Sequence, residues 1–235
     1  MDPRPAPDPE RQEAFESRFE AAPAVAAVIA LQLATGLVSR KEHWTIWHRH
    51  WWVWLLCIVP ETVLLVPLVF DRSRHGLERI GHRRDWTSAL FGFVSLANAL
   101  LLLAVIASLI GGDESSGGQL LFKALTVWTT NAITFGLWFW HIDRGGPARR
   151  LEPNPPPPDF LFPQLSDPSV AEPGWSPRLF DYLYVSFTNS IAFSPTDTLP
   201  LTHMAKRLML LESAVSAFTI LLLFSRAVNI FKQSP

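Results

Sequence analysis

The sequence predicts an all-α fold: an integral membrane helical bundle of about five transmembrane helices, with a re-entrant pore-helix and loop before the last one. Three observations carry that expectation. Apolar blocks of ~20 residues with almost no charge alternate with short charged or proline-rich stretches, the pattern of repeated membrane crossings. Charged residues make up 17% of the chain, against roughly 25% in soluble domains. Seven of the ten tryptophans gather near the ends of apolar blocks, as in an interfacial aromatic belt. Mean hydropathy is a modest +0.18 because it averages two very different kinds of stretch.

Residues 1–20 hold four prolines, three arginines and six acids. They lack the basic first region of a signal peptide and read as a disordered N-terminal tail. A four-helix membrane region follows over 21–142. A helix rising ~1.5 Å per residue needs ~20 apolar residues to cross ~30 Å of hydrocarbon. Trp51–Phe70, Leu90–Ile110, Leu120–Ile142 and the later Leu208–Ile230 meet that requirement. Pro23–Val38 is shorter and alanine-rich, with Gln32 and Thr35 as its polar side chains, and is read as a further span. Helices are required because an unpaired amide costs several kcal/mol in hydrocarbon, so each span must bond within itself.

Trp44, Trp47, Trp51, Trp52 and Trp54 crowd one end of the second span, and Trp138 and Trp140 an end of the fourth. His48 and His50 stand two residues apart, which turns them to different sides of a helix; headgroup contacts suit them better than a metal. Cys57 is the single cysteine, so neither an internal disulfide nor a cysteine metal site is available. The net charge of −1 argues against nucleic acid as a partner.

Ten of the twenty prolines fall between Asp143 and Pro177, and Gly145-Gly146-Pro147 stops the fourth helix. Residues 143–178 are therefore read as a proline-rich extramembrane linker of low regularity. Leu179–Phe193 is amphipathic and too short for a comfortable crossing, which suits a half-helix dipping into the membrane. A polar loop, Thr188–Asp197, and a long apolar helix complete the unit 179–235. Irregular backbone at membrane depth survives only where protein or water covers it, so this order suggests a re-entrant pore loop.

This last unit resembles the pore-loop and inner-helix unit of the potassium-channel superfamily. Ser190-Ile-Ala-Phe-Ser194 stands where that family has Thr-Val-Gly-Tyr-Gly, and Pro200-Leu-Thr202 resembles the Pro-x-Thr that follows. Lys206-Arg-Leu into Glu212 resembles the start of the inner helix. Ala192 and Ser194 replace both filter glycines and Pro195 the acid, a degenerate version of the filter. The resemblance implies a homo-oligomeric cation channel, tetramer favoured, passing a monovalent cation such as K+. Thr188, Asn189, Ser190, Ile191, Ala192, Phe193, Ser194 and Asp197 would line its path. A packed hairpin with no ion path fits the same residues.

From about Ala24 onward the chain also resembles a family of bacterial multi-pass membrane proteins described only as a domain of unknown function. Trp138-Phe-Trp-His-Ile-Asp-Arg-Gly-Gly-Pro147 and Tyr182-Leu-Tyr-Val-Ser-Phe-Thr-Asn-Ser-Ile-Ala-Phe-Ser-Pro-Thr-Asp197 carry that likeness. It implies the bacterial inner membrane and names no activity.

Ionisable groups inside spans are costly and usually have a role. Glu61, directly after Pro60, could bind a cation, relay a proton, or pair with Lys123 or Lys206, which makes a small proton-coupled transporter the main alternative to a channel. A non-conducting scaffold subunit is the third. Glu212 is expected to pair with Lys206 or Arg207. Asn98, Asn131 (with Thr129, Thr130 and Thr134) and Asn229 are expected to join helices by hydrogen bonds. No cofactor is called for, and no nucleophile triad, zinc-protease or nucleotide motif points to an enzyme. Lysine and arginine favour the flanks shared with the N-terminus, eleven against five, which with five spans places the N-terminus in the cytoplasm and the loop on the cytoplasmic side, opposite to potassium channels. The conflict leaves three alternatives open: that the loop segment spans, that the first segment does not insert, or that the chain is not oriented as channels are.

Overall fold

The structure, a computed structural model, describes residues 21–41, 58–59, 62–63, 83–111, 117–150, 154–172, 175–194 and 197–233. The predicted tail, most of the predicted span Trp51–Phe70 with Glu61, and the side chain of Asn229 lie outside the described residues. Five helices of more than ten residues are described: α1 (Ala21–Lys41), α2 (Arg83–Gly111), α3 (Gly117–Ile142), α4 (Leu179–Ala192) and α5 (His203–Gln233). Three of them, α1, α2 and α3, are long and apolar enough to cross a membrane. The rest of the described chain is irregular backbone, short one-turn helices such as Pro147–Arg150 and Pro163–Ser166, and one two-residue antiparallel ladder, β1 (Phe160–Leu161) with β2 (Leu199–Pro200).

Helix α3 is the hub, since α1, α2, α4 and α5 all pack on it. Its sequence explains the position. Leu120, Ala124, Val127, Asn131 and Phe135 form one buried stripe, and in the second half of α3 Ala132, Thr134, Leu137 and Phe139 bury the other sides too, while Leu121, Phe122 and Leu125 near its start face outward. By contrast α1 buries the stripe Val25, Val28, Gln32, Thr35 and Ser39 at intervals of three and four residues, and exposes Leu33 and Leu37. Helix α2 likewise buries Leu90, Phe91, Val94, Asn98 and Leu101 while Leu96, Leu100 and Leu103 face outward. An apolar outer face over a partly polar inner one is the reverse of a water-soluble bundle.

The contact between α3 and α4 is the closest in the bundle that glycine decides. A Cβ at Gly136 would stand 2.7 Å from Leu183 Cδ2 and 3.0 Å from its Cα, so the bare backbone there is what lets the two helices meet. The carbonyl of Ala132, one turn earlier, is consequently within reach of a side chain on α4.

The proline-rich segment is more ordered than its composition predicts, and one buried acid is the reason. Asp143, directly after α3, accepts from Tyr182 Oη at 2.6 Å, from the Asp159 amide at 2.7 Å and from the Phe160 amide at 3.2 Å. Asp159 in turn accepts from the Arg144 amide (3.1 Å) and from Thr202 Oγ1 (2.6 Å), while its carbonyl takes the Leu201 amide (2.8 Å). Thr202 also caps α5 through the Ala205 amide. The chain thus loops out of α3 and is pinned to the starts of α4 and α5. Phe160 and Phe162 stack edge-on against Tyr182, and the Arg150 guanidinium lies over the Tyr182 and Trp140 rings while donating to the Trp140 and Pro177 carbonyls. Polyproline backbone makes no bonds of its own; the order comes from these side chains.

Trp140 is buried under this cap, and Trp138 is half-buried with its indole N–H on Ser95. Neither stands on an outward-facing aromatic belt. The belt reading does not hold for these two rings, which find partners inside the fold, and Trp44, Trp47, Trp51, Trp52 and Trp54 lie outside the described residues.

At the edge of the cap, the Ser169 hydroxyl (2.6 Å) and amide (2.9 Å) both donate to Asp167, and hold its carboxyl below the usual carboxylate range. The sign follows: a lowered folded value adds stability above the ordinary Asp value and loses it as pH falls through the lowered one. Ser169→Ala should return the Asp167 midpoint toward 3.8 in a pH titration followed by NMR, and the melting temperature should stay put because the carboxylate is fully exposed.

Candidate functional site

The candidate site is built where α3, α4 and α5 meet. Helix α4 starts at Leu179, with the Arg178 amide bonded to Asp181 as a first-turn cap. Along it Tyr182, Ser186 and Asn189 recur at four and three residues and are all buried, a polar stripe on one face. Opposite, α5 presents Met209, Glu212, Ser213 and Ser216 at the same spacing, and Glu212 and Ser216 are completely buried.

The Glu212 carboxyl is held at both oxygens. Oε2 accepts from Asn189 Nδ2 at 2.6 Å, and Oε1 is in hydrogen-bond contact with the Ser186 hydroxyl. Ser186 also donates to the Ala132 carbonyl of α3 at 2.5 Å. The other amide hydrogen of Asn189 goes to the Met209 carbonyl (3.1 Å), and its oxygen accepts from Ser213 (3.3 Å). A second layer lies nearby on the same helices: Asn131 donates to Ser216 Oγ (3.2 Å) and accepts a long bond from Asn98 (3.4 Å). A third joins α1 to α3, where the Thr35 and Thr126 hydroxyls meet at 2.9 Å. The interior of the bundle is therefore a series of polar contacts between helices, with one acid among them. Of the polar atoms along it, Asn98 Oδ1 and Thr130 Oγ1 are buried without a hydrogen-bond partner.

Each predicted residue can now be placed. Glu212 does not pair with Lys206 or Arg207; both cations are exposed one to two turns away, and the acid's partners are the neutral Ser186 and Asn189. The sequence suggests a local pair because the three residues are close along the chain, but Glu212 points inward and the cations outward. Asn98 and Asn131 do join helices. Thr134 bonds the Thr130 carbonyl of its own helix.

The predicted polar loop begins later than expected. Thr188, Asn189, Ser190, Ile191 and Ala192 are helical, and the chain turns only at Phe193, whose φ of 54° is left-handed. The hydroxyls explain this: Thr188 bonds the Tyr184 and Val185 carbonyls and Ser190 the Phe187 carbonyl, so these residues satisfy themselves on the helix instead of breaking it. Ser190, Ile191 and Ala192 therefore do not form an extended strand with carbonyls facing one line. Ile191, Ala192, Phe193, Ser194 and Asp197 are exposed on the single chain, and the Thr198 hydroxyl bonds Asp197. Asn189 is the member of the predicted filter set that reaches Glu212.

Sequence reading missed Ser186 and the Asp143–Asp159–Tyr182–Thr202 knot. The signal for Ser186 was present in the spacing Tyr182, Ser186, Asn189 on an otherwise apolar helix. The knot had none, because its members are far apart along the chain.

No protein-family model, curated protein or solved structure matches the chain.

Proposed function

We propose that this chain is a multi-pass membrane protein that moves a small cation across the bilayer, with Glu212 as the group that holds the cation in transit. The single observation that carries this reading is a carboxyl completely buried between three helices and bonded, among the described residues, to neutral partners. A lone acid at such a place is costly to insert and is retained chiefly where an ion or proton uses it. The polar contacts that continue from it through Asn131, Asn98 and the Thr35–Thr126 pair support a path inside the bundle. In this reading α1, α2, α3 and α5 cross the membrane with Trp51–Phe70 as a fifth span, and α4, at ~21 Å, enters without crossing. The bacterial inner membrane is the setting that the sequence resemblance implies.

Full-length protein reconstituted into liposomes should support a proton or alkali-cation flux under an imposed gradient or voltage. Glu212→Gln should reduce that flux to the level of empty liposomes while eluting as the wild type does from size exclusion. Wild-type liposomes indistinguishable from empty ones would sink the proposal.

A homo-tetrameric channel is the second reading, favoured by the observed order of short helix, exposed turn and long helix. There the turn Ile191–Ser194 is covered by sister chains. Unitary currents and a tetrameric mass in detergent would favour it. Current that survives Glu212→Gln but is altered at Ser194 would make the turn, and not the acid, the conducting element.

A further inference from the structure

The hydrogen bonds around Glu212 bear on which cation it would hold. Ser186 carries one hydroxyl hydrogen and has two oxygens within bonding distance, the Ala132 carbonyl and Glu212 Oε1. A carbonyl oxygen can only accept, so the hydrogen of Ser186 belongs to the Ala132 bond. The contact between Ser186 and Oε1 then requires a hydrogen of its own, and the remaining place for it is the carboxyl. On the other side the count is already closed: the two amide hydrogens of Asn189 go to Oε2 and the Met209 carbonyl, and its oxygen takes the Ser213 hydrogen. Every hydrogen shared among Ser186, Asn189 and Glu212 is assigned once Glu212 is a neutral carboxylic acid.

The same geometry tells against a metal cation. An alkali ion needs a shell of oxygen lone pairs turned toward it. Here Oε2 faces an N–H donor, and the lone pair of Ser186 faces Oε1. The titratable groups on the surrounding helices stand apart. On α4 the nearest, Tyr182, is occupied by Asp143, with Asp181 and Tyr184 at least partly exposed. On α5 His203, Lys206 and Arg207 are exposed. On α3 Lys123 and His141 lie two or more turns from Ala132 in opposite directions. Residues 86–107 of α2 contain no ionisable side chain.

We infer that Glu212 is a proton site, and that Ser186 is its two-position partner. The inference rests on the transport reading above and narrows it to protons. With the acid protonated, Glu212 O–H donates to Ser186 Oγ and Ser186 donates to Ala132, which ties α4 to α3. When the proton leaves, the Ser186 hydroxyl rotates to donate to the Glu212 carboxylate, and the bond to Ala132 is given up. One proton lost therefore gives up the α3–α4 bond and reverses the direction of the α4–α5 bond, with no other donor required.

Infrared spectroscopy of the full-length protein in lipid nanodiscs tests this without any flux measurement. At near-neutral pH the wild type should show the carbonyl stretch of a protonated, buried carboxylic acid, slow to exchange in D2O. The band should vanish in Glu212→Gln and move to higher frequency in Ser186→Ala, which removes the acceptor but leaves the acid. A wild-type spectrum without that band, or a band that persists in Glu212→Gln, overturns the assignment. In liposomes, a flux carried by Na+ or K+ and unaffected by a pH gradient overturns the proton while leaving cation transport standing. The absence of any flux removes the transport reading and leaves the infrared result to judge the protonated acid alone.

Discussion

Asp143→Ala is expected to cost about 3–5 kcal/mol, enough to loosen the cap from the bundle. The side chain is completely buried, and it satisfies one phenol and two backbone amides at once. Removing it strands three buried donors, each with a desolvation cost of about 1–3 kcal/mol, partly relieved where water reaches the amides. Asp143→Asn should be nearly as damaging, since an amide has one acceptor oxygen and would turn an N–H toward an existing donor. Tyr182→Phe removes a single charged bond and should cost about 1.5–3 kcal/mol. Thermal unfolding in a mild detergent, read by tryptophan fluorescence, ranks the three. A Tyr182→Phe loss equal to that of Asp143→Ala would show that the amide bonds contribute nothing, and an unchanged Asp143→Ala would remove the knot as the organiser of the proline-rich segment.

The second large effect lies at Gly136. An added Cβ would stand 3.0 Å from the Cα and 3.3 Å from the amide nitrogen of Leu183, and backbone cannot swing aside as a side-chain tip can. Gly136→Ala should therefore lose about 1–3 kcal/mol by overpacking despite the better helix propensity of alanine, and Gly136→Leu more. The matched control is Gly92 on α2, where nothing stands within 4 Å of an added Cβ; there alanine should gain up to ~1 kcal/mol. The displacement at Gly136 also has a functional readout. Ala132, one turn away, supplies the carbonyl that Ser186 uses, so prising α3 from α4 should weaken that bond and shift the carboxylic-acid band of Glu212. If Gly136→Ala and Gly92→Ala behave alike in melting and in the infrared, the close approach of α3 and α4 has no energetic weight.

The two substitutions act at different ends of one arrangement. Asp143 fixes how the chain leaves α3 and where α4 begins; Gly136 fixes how near α4 comes. Together they bring Ser186 to Ala132 and leave Glu212 on the far side of the same hydroxyl. A site of this kind depends on the placement of elements that are individually unremarkable in sequence, which is why the loop residues with the more conspicuous pattern drew attention first.

What the sequence determined alone is the set of elements whose cause is local. The absence of charge over ~20 residues is enough to specify α1, α2 and α3, since burial of backbone in an apolar setting leaves helix as the available answer. The stop after α3 was legible in Gly145 and Gly146, whose positive φ values of 78° and 102° suit a residue without Cβ, although the chain already turns left-handed at Arg144, with φ 52°. The extent of α4 was legible from the amphipathic block Leu179–Phe193, but the polar residues from Thr188 that suggested a loop belong to the helix. Tertiary structure decided the rest. Whether Glu212 meets Lys206 or Ser186 depends on which way its face of α5 turns, and that is set by α3 and α4 packing against it. Whether Thr188 and Ser190 open a loop or fold back onto their own helix depends on whether their hydroxyls find nearer carbonyls than water. The order in residues 154–162 comes from Asp143 and Thr202, which stand far from each other along the chain. Hydrogen bonds between distant residues leave no periodicity behind, so a buried carboxyl held between three helices can be seen only once the helices are in place.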